Sequence, residues 1–186
     1  MGNAYNWDVK TQYSPDAVYS AVAKITATLK GCVLDLAAGT GTFSRILQKQ
    51  NFSEVFACDA YSDNFSVCGI NCVAADLNKG IPYDNDSFDV VVGCEIIEHI
   101  ENPRYLLREI KRILVKGGVG VITTTNNESL RAKINYCLRD CFPLFNEQMH
   151  PMHITPIICK EFKFMCLDSD LVLKETIFSD SGKYQN

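Results

Sequence analysis

The stretch Val33-Leu34-Asp35-Leu36-Ala37-Ala38-Gly39-Thr40-Gly41-Thr42-Phe43-Ser44 decides the fold. Cys32 to Leu36 reads as a short buried strand, Ala37 to Gly41 as a glycine-bearing turn, and the residues through about Lys49 as a helix. Glycine at 39 and 41 lets such a turn close tightly and lets backbone approach a bound ligand. A turn of this kind also serves as a plain tight connection in any doubly wound fold, so its neighbours must settle its meaning.

Working outward, Glu54 to Cys58 is a second apolar strand followed by Asp59, and Cys72 to Ala75 a brief third followed by Asp76. Phe88 to Cys94 has the composition of a central parallel strand covered on both faces. Asn102-Pro103 caps and opens a helix with Leu106, Leu107, Ile110, Ile113 and Leu114 on one face, which Gly117-Gly118 is expected to stop. Val119 to Thr124 is the fifth strand. A helical region with Arg131, Lys133 and Arg139 follows, then a loop around His150 to Pro156, a helix from Ile157 to Leu167 and a strand from Leu171 to Phe178. A further helix begins near Ser14-Pro15-Asp16 and runs to about Leu29. Strands alternating with helices define an α/β chain with a mostly parallel sheet.

Its 186 residues suit one domain with a core under a central sheet. Hydrophobic residues at 47% and charged residues at 22% exclude a disordered composition. Lys plus Arg number 18 against 22 Asp plus Glu, so the net charge of −4 disfavours non-specific attraction to nucleic acid. No leader-like or membrane-spanning apolar run is present, and nine cysteines without a CxxC pair read as reduced thiols; the expectation is a cytoplasmic protein. The cysteines are too scattered for a structural zinc site.

The acids at the strand ends point to a nucleoside. Asp59 lies about 20 residues beyond the glycines, where a carboxylate accepts hydrogen bonds from both hydroxyls of a ribose. That pair of features fits a nicotinamide-binding protein equally well. Asp76 supplies an acceptor for an adenine amine on the far side of the same crevice, although each acid also has a reading as a loop cap.

Together these residues resemble the class I S-adenosylmethionine-dependent methyltransferases, in particular their small-molecule and lipid-modifying branch. The resemblance spans roughly Val33 to Asn126: the opening stretch, Asp76, Asp86-Ser87-Phe88-Asp89-Val90-Val91, Glu98-His99-Ile100-Glu101-Asn102-Pro103, and Leu107 to Leu114 leading into Lys116-Gly117-Gly118. It implies a Rossmann-like doubly wound sheet flanked by helices. It divides a single domain, 1–186, into an N-terminal helical segment (1–30), a cofactor-binding core (31–125) and an acceptor-side region (126–186). It also implies that Asp35 and the Ala37 to Gly41 turn, with Gly39 and Gly41, surround the methionine part of S-adenosylmethionine. Asp59 would hold the ribose, Asp76 and the Leu77 backbone would read adenine, and Cys94 and Glu95 would lie near the sulfonium. The chain departs from the family at Ala37, where glycine is usual.

A sulfonium methyl is already electrophilic, so alignment of the acceptor and exclusion of water suffice for much of the catalysis. A hydroxyl acceptor needs a base, and His99, His150 and His153 are the candidates. By the resemblance, His153 sits in a histidine-containing loop over the pocket, and His99 and His153 are the expected catalytic pair. Each histidine also has a reading as a local hydrogen-bonding group. Glu95, Glu98 and His99 form a Glu-x-x-Glu-His constellation similar to that of metal-using small-RNA 2′-O-methyltransferases and some ubiquinone-pathway O-methyltransferases. The same letters occur in metal-free relatives, and no metal is expected. Arg131, Lys133 and Arg139 read as a solvated face or an anionic-substrate patch, and Leu138, Phe142, Leu144, Phe145 and Met149 as core or as a lid over a greasy acceptor.

The expected activity is methyl transfer to a small-molecule or lipid-linked acceptor. The alternatives are a metal-dependent RNA 2′-O-methyltransferase, a cofactor-binding module without activity, and a nicotinamide oxidoreductase. Only one strand is legible after the fifth, and Ser179 to Asn186 are too few and too polar for another. The C-terminal strand pair is therefore expected to be incomplete, from a truncated or naturally shortened chain, with an open sheet edge that favours a homo-oligomer.

Overall fold

The computed structural model describes residues 16–150 and 152–178. Five strands, β1 (Gly31–Leu36), β2 (Phe52–Asp59), β3 (Cys72–Ala74), β4 (Phe88–Gly93) and β5 (Leu114–Ile122), form one sheet in the order β3-β2-β1-β4-β5. Every pairing is parallel. The strand order reverses at β1, and the crevice of such a sheet opens at the carboxyl ends of β1 and β4.

Alternation along β1 distributes its side chains between two layers. Leu34 and Leu36 join the larger core cluster with Phe88, Val91 and Ile97. That cluster packs under α3 (Pro103–Ile113) and α5 (Cys159–Leu167), which contribute Leu106, Leu107, Ile110, Ile113, Met165 and Cys166. Val33, Val90 and Val92 face the other way, against Val22 of α1 (Asp16–Thr26) and Phe43 and Leu47 of α2 (Thr42–Leu47). Each fully buried aliphatic side chain stabilises the fold by about 1.5–3 kcal/mol. The fold is therefore the expected Rossmann-like doubly wound sheet with helices on both faces.

Three local expectations are corrected. Ser14 and Pro15 lie outside the described residues, and α1 ends at Thr26, short of Leu29, because Thr26 Oγ1 donates back to the Val22 carbonyl at 3.0 Å and the chain tightens into a turn. Gly117-Gly118 do not stop α3. Its end is set by the amides of Asp86 and Ser87, which donate to the carbonyls of Arg112 and Ile113 at 3.0 and 2.8 Å, after which Leu114 is already extended and pairs with Phe88. The glycines instead lie inside β5, where Gly117 has a φ of 87° and a Cβ on Gly118 would press on the carbonyls of Val115 and Asp89.

Residues 171–178 form no strand. Asp170, with a φ of 55°, closes α5: its amide donates to the Leu167 carbonyl at 3.2 Å and the Leu171 amide to the Cys166 carbonyl at 2.9 Å. Leu171 and Leu173 then pack on the larger core cluster, while Val172, Ile177 and Phe178 stay exposed. The alternating apolar pattern is real, but its inner residues join the core without pairing to a neighbouring strand. Among the described residues no strand pairs with the outer edge of β5.

Candidate active site

Two walls meet at the crevice. The first is the β1–α2 turn and the end of β2. The Gly39 amide donates to Asp59 Oδ2 at 2.8 Å and the Tyr61 amide to Asp59 Oδ1 at 2.7 Å, so the carboxylate is fixed against the turn with further lone pairs to offer. A Cβ on Gly39 would meet nothing within 4 Å, whereas one on Gly41, at a φ of 87°, would collide with Val67 and Phe65. Gly39 therefore borders open space into which a ligand can approach, and Gly41 is a packing requirement. Ala37 holds a φ of 55°, the left-handed conformation for which glycine is the natural choice, and packs against the larger core cluster.

Asp35 is buried behind this turn, where Ser44 Oγ donates to its Oδ2 at 2.5 Å and ties the first turn of α2 to β1. Burial pushes its carboxyl up to about 7, and the neighbouring Asp59 charge adds to the rise. Asp76 follows β3 at the surface, paired with Lys79 Nζ at 2.8 Å, and accepts the Asn78 amide. The Lys79 hydrogen bond is the main reason its carboxyl lies below the usual range. Leu77 beside it is buried in the core.

The second wall is built by the ends of β4 and β5. Cys94 is half-buried and its thiol is pushed well up by burial, so it is no nucleophile at neutral pH. Glu95 has a φ of 52° and is gripped by Thr123, whose Oγ1 donates to Glu95 Oε1 at 2.8 Å and accepts the Glu95 amide at 2.9 Å. Burial, then the charge of Glu98, pushes the Glu95 carboxyl up to about 7.

Ile97–His99 is a single 3-10 turn, and the loop after α4 (Leu130–Arg139) folds back onto it: the Ile154 and Thr155 amides donate to the Glu98 carbonyl at 2.9 and 3.0 Å. This brings His153 edge-on to His99, with ring centroids 4.7 Å apart. His99 Nδ1 lies 2.8 Å from the Met152 carbonyl, which can only accept; that fixes the proton on Nδ1 and leaves a lone pair on Nε2. Burial lowers the pKa of His99 below the usual histidine range and, with the His99 charge second, that of His153 to about 4.

Ligating atoms of Glu98, His99 and His153 all lie within 4.8 Å of one another. Both carboxylate oxygens of the buried Glu98 and Nδ1 of His153 lack hydrogen-bond partners, as do the buried hydroxyls of Thr124 and Thr125. Burial pushes Glu98 up to about 7, with Thr124 and the Thr125 amide near enough to favour its charged form but outside bonding geometry. The expected trio Glu95, Glu98 and His99 is thus regrouped: Thr123 takes Glu95, and His153 joins the other two. His150 is exposed and takes no part. Sequence reasoning missed Thr123 and its orphaned neighbours; three consecutive threonines at a strand end were the available signal.

A parallel doubly wound sheet with an acid and a glycine turn at its switch point defines a nucleotide-type binding fold. Residues 34–122 match a family model described as a methyltransferase domain. Residues 34–122 are thus a methyltransferase domain of the S-adenosylmethionine-dependent kind, and S-adenosylmethionine is the cofactor that this similarity implies. It is 31% identical over 101 residues to a ubiquinone biosynthesis O-methyltransferase of Rickettsia typhi, covering 50% of this chain and 41% of that protein. It is 33% identical over 130 residues to a demethylmenaquinone methyltransferase of Clavibacter sepedonicus, covering 66% and 48%. The chain thus spans about half or less of the length of these relatives. An S-adenosylmethionine-dependent methyltransferase from Archaeoglobus fulgidus shares the fold at a TM-score of 0.61 and 22% identity, covering 82% of this chain and 66% of that one. One from Mesorhizobium loti aligns at 0.52 and 25%, covering 58% and 53%.

Proposed function

We propose that this chain transfers a methyl group from S-adenosylmethionine to an oxygen of a small, ring-bearing or lipid-linked acceptor. The observation that carries the reading is an open glycine cradle beside Asp59 at the carboxyl end of the same sheet as a partly buried Glu98–His99–His153 cluster, in which Glu98 and His153 are left short of partners. In this reading Gly39 and Asp59 hold the cofactor, with Asp76, the Leu77 backbone, Cys94 and Glu95 completing its site around Asp35, Ala37 and Gly41. The cofactor supplies an electrophilic methyl, so what remains for the chain is to align the acceptor and take its proton. His99 suits the second role, because its tautomer is fixed by the Met152 carbonyl and its lowered pKa keeps Nε2 unprotonated at neutral pH. The names of two relatives, a ubiquinone biosynthesis O-methyltransferase and a demethylmenaquinone methyltransferase, support a quinol-type acceptor. The division into a 31–125 cofactor core and a 126–186 acceptor side belongs to the same reading, as does a reducing, cytoplasmic setting, supported by nine free thiols.

Calorimetry with S-adenosylhomocysteine against NAD, joined to turnover on a panel of catechols and quinols, tests this. S-adenosylhomocysteine alone should bind, and His99→Ala should lower kcat at least about a hundredfold with that binding intact. Binding of NAD alone, or cofactor binding without turnover on any acceptor, would overturn the proposal.

A second reading, favoured by the orphaned atoms of Glu98 and His153, places a divalent cation between Glu98, His99 and His153. Manganese should then raise the melting temperature of the chain but not of Glu98→Gln, and a chelator should abolish turnover. Indifference to both would remove this reading and, with it, the metal-dependent action on RNA ends.

A further inference from the structure

A Thr-Pro pair just ahead of a helix ordinarily spends its hydroxyl as the helix cap. Thr155-Pro156 does not. α5 opens at Cys159 with Ile158 in the cap position and no side-chain cap bond, and the Thr155 hydroxyl instead turns across the chain to donate to the Ile100 carbonyl at 2.9 Å. Ile100 is buried and closes the Ile97–His99 turn. Thr155 is thereby tied to the turn that carries Glu98 and His99, not to the helix that follows it.

Residues 152–155 lie as a strap along that turn. At its middle the Ile154 and Thr155 amides share one acceptor, the Glu98 carbonyl. Two donors on a single oxygen hold a segment at a fixed distance but leave it free to pivot about that atom. A further bond on each side of the pivot stops the rotation: His99 Nδ1–H to the Met152 carbonyl at 2.8 Å, and Thr155 Oγ1 to the Ile100 carbonyl. Hydrogen bonds weaken steeply with angle and beyond about 3.2 Å, so a strap that swings when the Thr155 bond is cut also loses the bond to His99. The chain around the strap is secured independently: Phe145 packs on His153 with ring centroids 5.4 Å apart, and Asn127 Nδ2 donates to the Ile157 carbonyl at 3.0 Å. Cutting the Thr155 bond therefore loosens the strap without unfolding it.

We propose that Thr155 is a positioning residue for His99: its hydroxyl holds the strap at the angle at which the Met152 carbonyl keeps the proton on Nδ1 and leaves the Nε2 lone pair free. The hydrogen bond at one ring nitrogen sets what the other can do, and here that bond depends on a residue that does not itself touch the imidazole through its hydroxyl. The kinetic consequence rests on the methyl-transfer reading with His99 as base. The tautomer does not.

Nitrogen NMR spectra of the full chain with isotope-labelled histidine test the tautomer, with His99→Ala identifying the His99 signals among the three histidines. At a pH where histidine is neutral, the wild type should carry the His99 proton on Nδ1 alone. Thr155→Val, which keeps the size and removes the hydroxyl, should show both tautomers, and Thr155→Ser should match the wild type. In turnover Thr155→Val should lower kcat roughly tenfold with KM for S-adenosylmethionine unchanged, since a small misplacement of a reacting group acts on the chemical step. Thr155→Ser should restore kcat. Thr155→Ala serves the same comparison if the Val variant does not fold. The proposal is overturned by a sole Nδ1–H tautomer in a folded variant lacking the hydroxyl, by a Ser variant no better than Val, or by a cofactor KM that rises as kcat falls. An inactive wild type would remove the methyl-transfer reading instead, and the spectra alone would then decide the role of Thr155.

Discussion

The two walls of the crevice are finished to different degrees. At the carboxyl ends of β1 and β2 the polar groups are matched within the chain: Ser44 to Asp35, and the Gly39 and Tyr61 amides to Asp59. On the β4–β5 side, Glu98, His153, Thr124 and Thr125 bury polar atoms that meet no partner. A buried polar group left unpaired costs about 1–3 kcal/mol, so the second wall is held together at the expense of stability. On the proposed reading the first wall grips one invariant cofactor and can be pre-assembled, whereas the second meets an acceptor and keeps its donors and acceptors free.

The largest test of this contrast is Asp35. Its carboxyl ionises near pH 7 in the fold and near 3.8 otherwise. Between those values the unfolded chain has already released the proton, so stability falls as pH rises, with the full cost present above about pH 7. Asp35→Asn still accepts from Ser44 and should remove that fall, gaining up to roughly 4 kcal/mol at pH 8 relative to pH 4 in chemical denaturation at the two values. An unchanged pH slope would mean that the first wall holds Asp35 without strain.

Asp59→Ala should weaken S-adenosylhomocysteine binding by about 1.5–3 kcal/mol through lost charge-assisted hydrogen bonds. Equal affinity in a folded variant would move the ribose elsewhere. On the second wall, Glu98→Gln should stabilise the ligand-free protein at pH 8 by about 1–2 kcal/mol and, on the cation-binding reading, abolish turnover, the exchange expected where function keeps a carboxylate unsatisfied. Loss of stability instead would show that Glu98 is a structural group. The smallest effect is at the rim: Ser129→Ala removes the cap of α4 and should cost about 0.5–1 kcal/mol in a melt with no effect on cofactor affinity.

The sequence by itself determined the parallel α/β core, because strand composition, the Ala37 to Gly41 turn and the Asn102-Pro103 helix start are local signals written at fixed spacing. It also put Asp59 at the end of β2 beside the glycine turn, where the Gly39 amide meets it, since an acid ending the strand after such a turn has a defined place in the sheet. What depended on tertiary structure was every partnership across distance. Asp35 is a helix tie because α2 delivers Ser44 to it; Glu95 leaves the Glu-x-x-Glu-His group because β5 delivers Thr123. His153 joins Glu98 and His99 because a returning loop donates two amides to the Glu98 carbonyl. Residues 171–178 alternate like a strand yet pair with none, since periodicity records which side is apolar but not whether a neighbouring strand lies beside it. The outward apolar face of α4, where Leu130, Ile134 and Leu138 are exposed, was invisible for the same reason: a sequence shows that a helix has a greasy side, and only the packed chain shows which way that side points.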